Sequence, residues 1–331
     1  MNMLWADPTE FSIDWLAHTF DLGQPHSAIQ AGRGQTNRLG VLRLETSKGS
    51  FAVKRFEIAP KPVALLIEET AYKTGFPMPQ PIWARDGQPY ATYLNAGNTV
   101  WVRVYSWVEG TPYDWGFVSP EVSTQIGRLL AALHALPLPD SELQDESWMP
   151  LGRSSWEQLA QRATAKGMDW ALSLQSKISI LVEWEEYVLS STVSDEPVVP
   201  SQRDLHPPNV IRCFDGSHVV VDWDAAGPMN AREDVARFAL VWAAAPGRLP
   251  QQDAVHAFIW GYREAGGYFE SRGILDLTHQ ARTRLWWLAY NVRRDVSDHP
   301  GHEPDLTSAL LSSVHPLDLE VLKQTAALFK I

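Results

Sequence analysis

The sequence predicts an α+β fold in two lobes: a smaller antiparallel sheet carrying one helix, followed by a larger, mainly helical lobe. Three observations predict it. Short β-rich runs separated by turn residues fill the chain to residue 107, apolar residues recur at helical spacing after Gly110, and a polar hairpin interrupts the helical half. The expected division is 1–107 and 108–331.

In the first part, Leu39 to Glu45, Ser50 to Phe56, Ile82 to Arg85, Tyr90 to Leu94 and Val100 to Trp107 read as strands, each rich in aliphatic and aromatic residues and bounded by Gly, Asn or Lys turn signals. Pro62 opens a helical segment, since proline in a first turn loses no hydrogen bond, and the segment ends at Gly75 with Pro77 and Pro79 preventing its continuation. Beyond Gly110, Pro120 to Leu136 places Val122, Ile126, Leu129, Leu130 and Leu133 on one face. Ser155 to Ala165, Ile178 to Ser190, Asp253 to Ala265, His279 to Val296 and Leu317 to Phe329 add further helices. Asn209 to Cys213 and His218 to Val221 read as two short strands joined by the turn Phe214-Asp215-Gly216-Ser217.

With 331 residues, 45% of them hydrophobic, the chain can bury the cores of two packed domains. The single cysteine, Cys213, excludes an internal disulfide and a Cys-rich metal site, and reads as a small buried apolar side chain. A net charge of −11 argues against nucleic acid as the main partner, because a phosphate-binding surface needs clustered Lys and Arg. No run approaches about 18 consecutive apolar residues. Asp7, Glu10 and Asp14 stand where a signal peptide would carry positive charge, so the expectation is a cytoplasmic chain without a membrane partner. Among 15 Trp, those at 101, 107, 242, 286 and 287 lie in apolar runs where packing is the ordinary role.

The chemistry gathers around the hairpin. Asp204 lies five positions before Asn209 in RDLHPPN, Asn209 starts the hairpin, and Asp222 follows its second strand in VVVDWD. The turn brings these ends together, and two carboxylates with an amide make an oxygen site suited to Mg²⁺. Phosphoryl transfer asks for that set: a base near the acceptor hydroxyl, metal bridging the nucleotide phosphates, and positioning.

Gln202-Arg203-Asp204-Leu205-His206-Pro207-Pro208-Asn209 followed by Val221-Asp222-Trp223-Asp224 resembles the aminoglycoside phosphotransferase family, whose catalytic loop commonly reads H-G-D-L-H-P-G-N and is followed by I-D-W-D. The resemblance implies a bilobal protein-kinase-like fold, ATP or GTP with Mg²⁺ as cofactors, Asp204 as catalytic base, and Asn209 and Asp222 as metal ligands. Gly32, Gly34, Thr36 and Asn37 look like the family's phosphate-covering turn, and Lys54 in Phe51-Ala52-Val53-Lys54 like its strand lysine, the α/β-phosphate contact. In such a site a helix glutamate orients the lysine; Glu68, fourteen positions on, is the first choice and Glu69 the second. Val104 to Gly110, with Tyr105 and Trp107, resembles the hinge that holds adenine. His206 stands where protein kinases place a lysine touching the γ-phosphate, and a loop-stapling role is equally open to it. His134 reads first as a core or interlobe histidine, and Asp234 as a residue capping or bonding the catalytic loop.

The expected function is therefore a kinase transferring phosphoryl to a small polar molecule with a hydroxyl group. Aminoglycosides or other antibiotics, choline-like amino alcohols, sugars and homoserine all remain open as acceptors. A rival reading, a nucleotide-binding pseudokinase or regulator, is motivated by Gln202, Arg203 and Pro208, which replace the family's histidine and two glycines.

Overall fold

The computed structural model describes residues 12–32, 40–95, 97–116, 119–138, 149–191, 197–244, 250–297, 304–314 and 324–329. The chain forms two compact units, one of residues 1–115, 136–142 and 200–227, the other of 116–135, 143–199 and 228–331. This differs from a single cut at residue 107, because the hairpin segment returns to the amino-terminal unit through backbone pairing. No described helix is long and apolar enough to cross a membrane.

The first unit begins with α1 (Ile13–Thr19), β1 (Pro25–Gly32), β2 (Val41–Thr46), β3 (Gly49–Phe56) and α2 (Pro62–Lys73). β4 (Pro81–Ile82), β5 (Ala91–Asn95), β6 (Asn98–Ser106) and β7 (Gly110–Pro112) follow. The sheet runs β1-β2-β3-β6-β4, with β5 also paired to β6, and every pairing is antiparallel. Side chains alternate across a strand, so each strand contributes to two faces. Leu42, Leu44, Val53, Val102 and Val104 form a core with Leu16, Ala17 and Phe20 of α1 and its flank. α1 has no counterpart in the sequence expectation; Ser12 caps it, its Oγ accepting the Trp15 N–H at 3.0 Å. The register sets Lys54 opposite Val41 and Arg103, and Ala52 opposite Tyr105, which puts these five residues on the other face.

β9 (Val210–Cys213) and β10 (His218–Val220) form the expected hairpin, with Val210 opposite Val220. Asn209 ends a 3₁₀ turn over Pro207–Asn209 rather than opening the strand. In the turn, Asp215 Oδ1 accepts from the N–H and hydroxyl of Ser217. β7 extends this sheet at β9, and Gly110 is what permits it: a Cβ there would stand 2.5 Å from the Arg212 carbonyl oxygen. The Val220 N–H donates to the Pro77 carbonyl at 2.9 Å, a second tie between the hairpin and the amino-terminal segment. The short strands β8 (Val198–Ser201) and β11 (Gly227–Asn230) lie where the chain enters and leaves this part of the unit.

The second unit is helical: α3 (Pro120–His134), α4 (Gly152–Ala165), α5 (Ala171–Ser191), α6 (Ala231–Val241), α7 (Gln252–Glu264), α8 (Thr278–Asp295) and α9 (Pro304–Ser312). The periodic segments account for α3, α4, α5, α7 and α8. α6 escapes that pattern because Arg232, Glu233 and Asp234 are themselves buried. The helix expected from Leu317 falls largely outside the described residues, which place a 3₁₀ turn at Ala327–Phe329. Trp156, Leu174, Trp184, Leu285, Val292 and Leu311 unite α4, α5, α8 and α9 in one core. Glu185 of α5, buried, accepts the N–H groups of Leu151 at 2.8 Å and Gly152 at 3.0 Å, and the Trp156 indole N–H at 3.0 Å, satisfying the start of α4. The His134 ring bridges the Tyr262 hydroxyl at 2.9 Å and Asp234 Oδ2 at 3.1 Å, the core role expected of it.

α3 and α7 touch backbone to backbone. A Cβ on Gly127 would lie 2.1 Å from the Phe258 carbonyl oxygen, and one on Gly261 2.1 Å from that of Thr124. Neither obstacle is a side chain that can swing aside. Gly261→Ala should therefore destabilise by about 1–3 kcal/mol, outweighing the roughly 0.5–1 kcal/mol that alanine gains over glycine in a helix. A lower urea midpoint with an unchanged far-ultraviolet circular dichroism spectrum is the expected result.

Candidate active site

The catalytic-loop candidates come together within the first unit. Asp204 has both carboxylate oxygens engaged: Oδ1 with His206 Nδ1 at 2.5 Å, and Oδ2 with the Asn209 amide, which donates to it at 2.8 Å. The same amide donates to the Asp204 carbonyl at 2.8 Å, fixing the loop's width. The His206 contact with Asp204 is the one a loop staple makes, and its ring also packs against Trp115 at 5.0 Å.

Gln202, where the resembled family has a histidine, binds the two loops together. Fully buried, it accepts the Asp204 N–H through Oε1 at 2.8 Å and donates through Nε2 to the carbonyls of Val221 at 3.1 Å and Asp222 at 2.5 Å. One side chain thus ties the loop before β9 to the loop after β10. Asp222 itself lies in the left-handed region, φ 63°, and Arg203 likewise at φ 60°. Backbone in this region is costly for residues with a Cβ and persists where surrounding contacts hold it. Trp223, between Asp222 and Asp224, anchors the second loop: it is buried, donates its indole N–H to the Val220 carbonyl at 3.1 Å, and meets Phe76 edge-on at 5.5 Å.

Lys54 points into this constellation. Its ammonium lies 2.5 Å from Asp222 Oδ1 and is also paired with Asp224. Burial works against the charged lysine, but Asp224 and Asp222 outweigh it and hold its pKa above the ordinary value. Asp224 is pushed up to about 6, burial being the main cause and the Lys54 charge the principal opposing one.

The expected Lys54–Glu68 pair is not formed. Glu68 is fully buried and pairs instead with Arg103, the residue directly across from Lys54 in β6. Glu69 pairs with Lys73 one turn along α2, at 2.6 Å. The sequence spacing between Lys54 and Glu68 holds no information about Arg103, whose position emerges only from the register of β3 on β6.

A cavity of about 390 Å³ adjoins these groups. Val41, Ala52, Tyr105 and Trp107 contribute apolar wall, and Lys54, Asn209, Asp222 and Asp224 contribute polar lining. Tyr105 and Trp107, the hinge residues expected from the sequence, both line this cavity. Gly32 closes β1, while Gly34, Thr36 and Asn37 lie outside the described residues. Among the described residues no group of three or more His, Cys, Asp or Glu side chains is assembled for a metal. Asn209 and Asp222 nonetheless fit Mg²⁺, which takes one or two carboxylates from protein and completes its shell from phosphates and water. The Lys54 ammonium sits against the carboxylates of Asp222 and Asp224, so this lining suits positive charge.

A family model for a phosphotransferase enzyme family matches residues 27–268. Among solved structures, spectinomycin phosphotransferase APH(9)-Ia in complex with ADP and spectinomycin superposes with a TM-score of 0.72 at 14% identity, covering 96% of this chain and 97% of that one. A microcompartment-associated aminopropanol kinase gives 0.61 at 15% identity, with 95% and 97% covered. Choline kinase LicA from Streptococcus pneumoniae gives 0.58 at 16%, with 95% and 96% covered. At such identities the likeness concerns the fold, which is protein-kinase-like. A search of curated proteins finds no match.

An unfolded aspartate loses its proton near 3.8, whereas folded Asp224 holds it to about 6. Its raised pKa therefore contributes stability that is complete below pH 3.8 and lost as pH rises through 6. Carbon-13 titration of the ligand-free protein should show an Asp224 midpoint near 6, and Asp224→Asn should flatten the decline in stability between those limits.

Proposed function

We propose that this chain, which belongs to the phosphotransferase enzyme family, moves the γ-phosphoryl group of ATP or GTP to a hydroxyl of a small polar molecule. One observation carries the reading: Lys54, Asp204, Asn209, Asp222 and Asp224, drawn from three separated stretches of sequence, form a single connected polar constellation beside a cavity with apolar walls. A purine would lie against Val41, Ala52 and Trp107, with its phosphates toward Lys54. Magnesium, when bound, would be held by Asn209 and Asp222 and would neutralise charge on the phosphates.

Asp204 acts as base. A carboxylate has about four acceptor positions; the Asn209 amide and His206 use one on each oxygen, leaving room for the acceptor's O–H. These two contacts fix the carboxylate plane, so the proton is taken in one orientation. Asp204 polarises the hydroxyl and receives its proton while Lys54 steadies the nucleotide. A cytoplasmic location belongs to the same reading, because the nucleotide is available there.

The pseudokinase reading has less support. Its motive was the replaced loop residues, yet Gln202 makes three hydrogen bonds across the two loops and every proposed reacting group is present. The acceptor is best sought directly, by following ADP release with aminoglycosides, choline-like amino alcohols, sugars and homoserine. Nucleotide-dependent turnover of none of these classes would count against the reading.

With an acceptor in hand, Asp204→Asn should lower kcat by about 10²- to 10⁴-fold while changing Mg-ATP affinity little. Asp222→Ala should weaken magnesium-dependent nucleotide binding more than Asn209→Ala, since a carboxylate offsets cation charge and an amide does not. Calorimetric titration of both variants decides the order.

A further inference from the structure

We propose that Asp224 is the residue that positions Lys54 for the nucleotide, in place of a helix glutamate, because Arg103 commits Glu68 elsewhere. This rests on the phosphotransferase reading of the cavity. The register of β3 on β6 puts Lys54 and Arg103 side by side on one face. Two cations therefore compete for the carboxylate that α2 offers. The competition is unequal. Arg103, whose planar fork suits a carboxylate, already holds Glu68 in the interior, their side chains being only 6% and 1% exposed. Removing Glu68 from Arg103 would leave an unpaired charge in the interior. Glu69 is no substitute, since it pairs with Lys73.

Lys54 is left with the loop after β10, where both Asp222 and Asp224 meet it. Asp222 is the proposed metal ligand, so its charge is shared once magnesium binds. Asp224 remains as the carboxylate dedicated to Lys54. Its place is secure because Trp223, next to it, is buried and bonded to the Val220 carbonyl. Asp224 is thus a positioning residue and does not touch the transferred group.

The test is Mg-ATP affinity of the full-length protein by calorimetry, with thermal unfolding run alongside to verify that each variant is folded. Asp224→Asn should weaken binding about tenfold, equivalent to about 1.4 kcal/mol, and Asp224→Glu, which keeps the carboxylate, should recover most of the loss. The double variant Glu68→Leu/Arg103→Leu, which replaces the buried pair by apolar side chains and leaves no lone charge, should bind Mg-ATP as wild type does. Unchanged affinity in Asp224→Asn, or a loss in the double variant matching the one predicted for Asp224→Asn, overturns the assignment while leaving the phosphotransferase reading intact. Absence of Mg-ATP binding by the wild-type chain would instead overturn that reading, and this assignment with it.

Discussion

A guanidinium holds its proton wherever it is placed, and Arg103, nearly dry within the first unit, therefore needs a carboxylate beside it. Much of the site's electrostatics depends on this need. Glu68 answers it, Lys54 turns away from α2 toward the hairpin, and two aspartates that flank a buried tryptophan receive the lysine. Removing Glu68 from the buried Arg103 costs far more than an exposed ion pair contributes, so that pair holds. The polar lining of the cavity follows from a strand register decided by apolar residues on the opposite face of the sheet.

The loop before the hairpin shows how a site keeps its geometry under unusual residues. Arg203 takes a left-handed conformation that glycine adopts without cost and that a residue with a Cβ adopts at about 1–2 kcal/mol. The Ser201 hydroxyl, accepting the Arg203 N–H at 2.9 Å, and the buried Gln202 amide hold the backbone there. Pro208 suits a short 3₁₀ turn, where its fixed φ is already correct and its missing N–H is not needed. Each departure from the resembled family's loop is thus met by a local contact or by a backbone that suits it.

Five strands of the first unit's sheet, β2 to β6, and the long helices of the second were legible in the sequence because both rest on periodicity; β1 was not. The hairpin was legible from alternation and a turn with glycine, and Asp204, Asn209 and Asp222 from their spacing about it. α1 was hidden by its brevity, and α6 by buried charged residues that break the apolar stripe. Lys54 could be found from its strand, but its partner could not: Glu68, Asp222 and Asp224 are all reasonable carboxylates on the page of sequence, and the choice turns on Arg103. Gln202 is visible only as a substitution until its three hydrogen bonds across the two loops are seen.

The composition of the two units bears on the order in which they can be made. Residues 200–227 belong to the first unit, whose other parts end at 142. A nascent chain that has passed residue 199 still lacks the hairpin that pairs with β7. The second unit waits longer, because α3 has its close-packed glycine partner only when α7 has emerged, Gly127 and Gly261 being far apart along the chain. Synthesis therefore outpaces completion of either unit for most of the chain's length, with β7, whose partner is β9, meanwhile unpaired. Cutting the gene near codon 107 would not release an independent amino-terminal domain, since the piece so freed would carry one wall of the cavity without the aspartates its lysine meets.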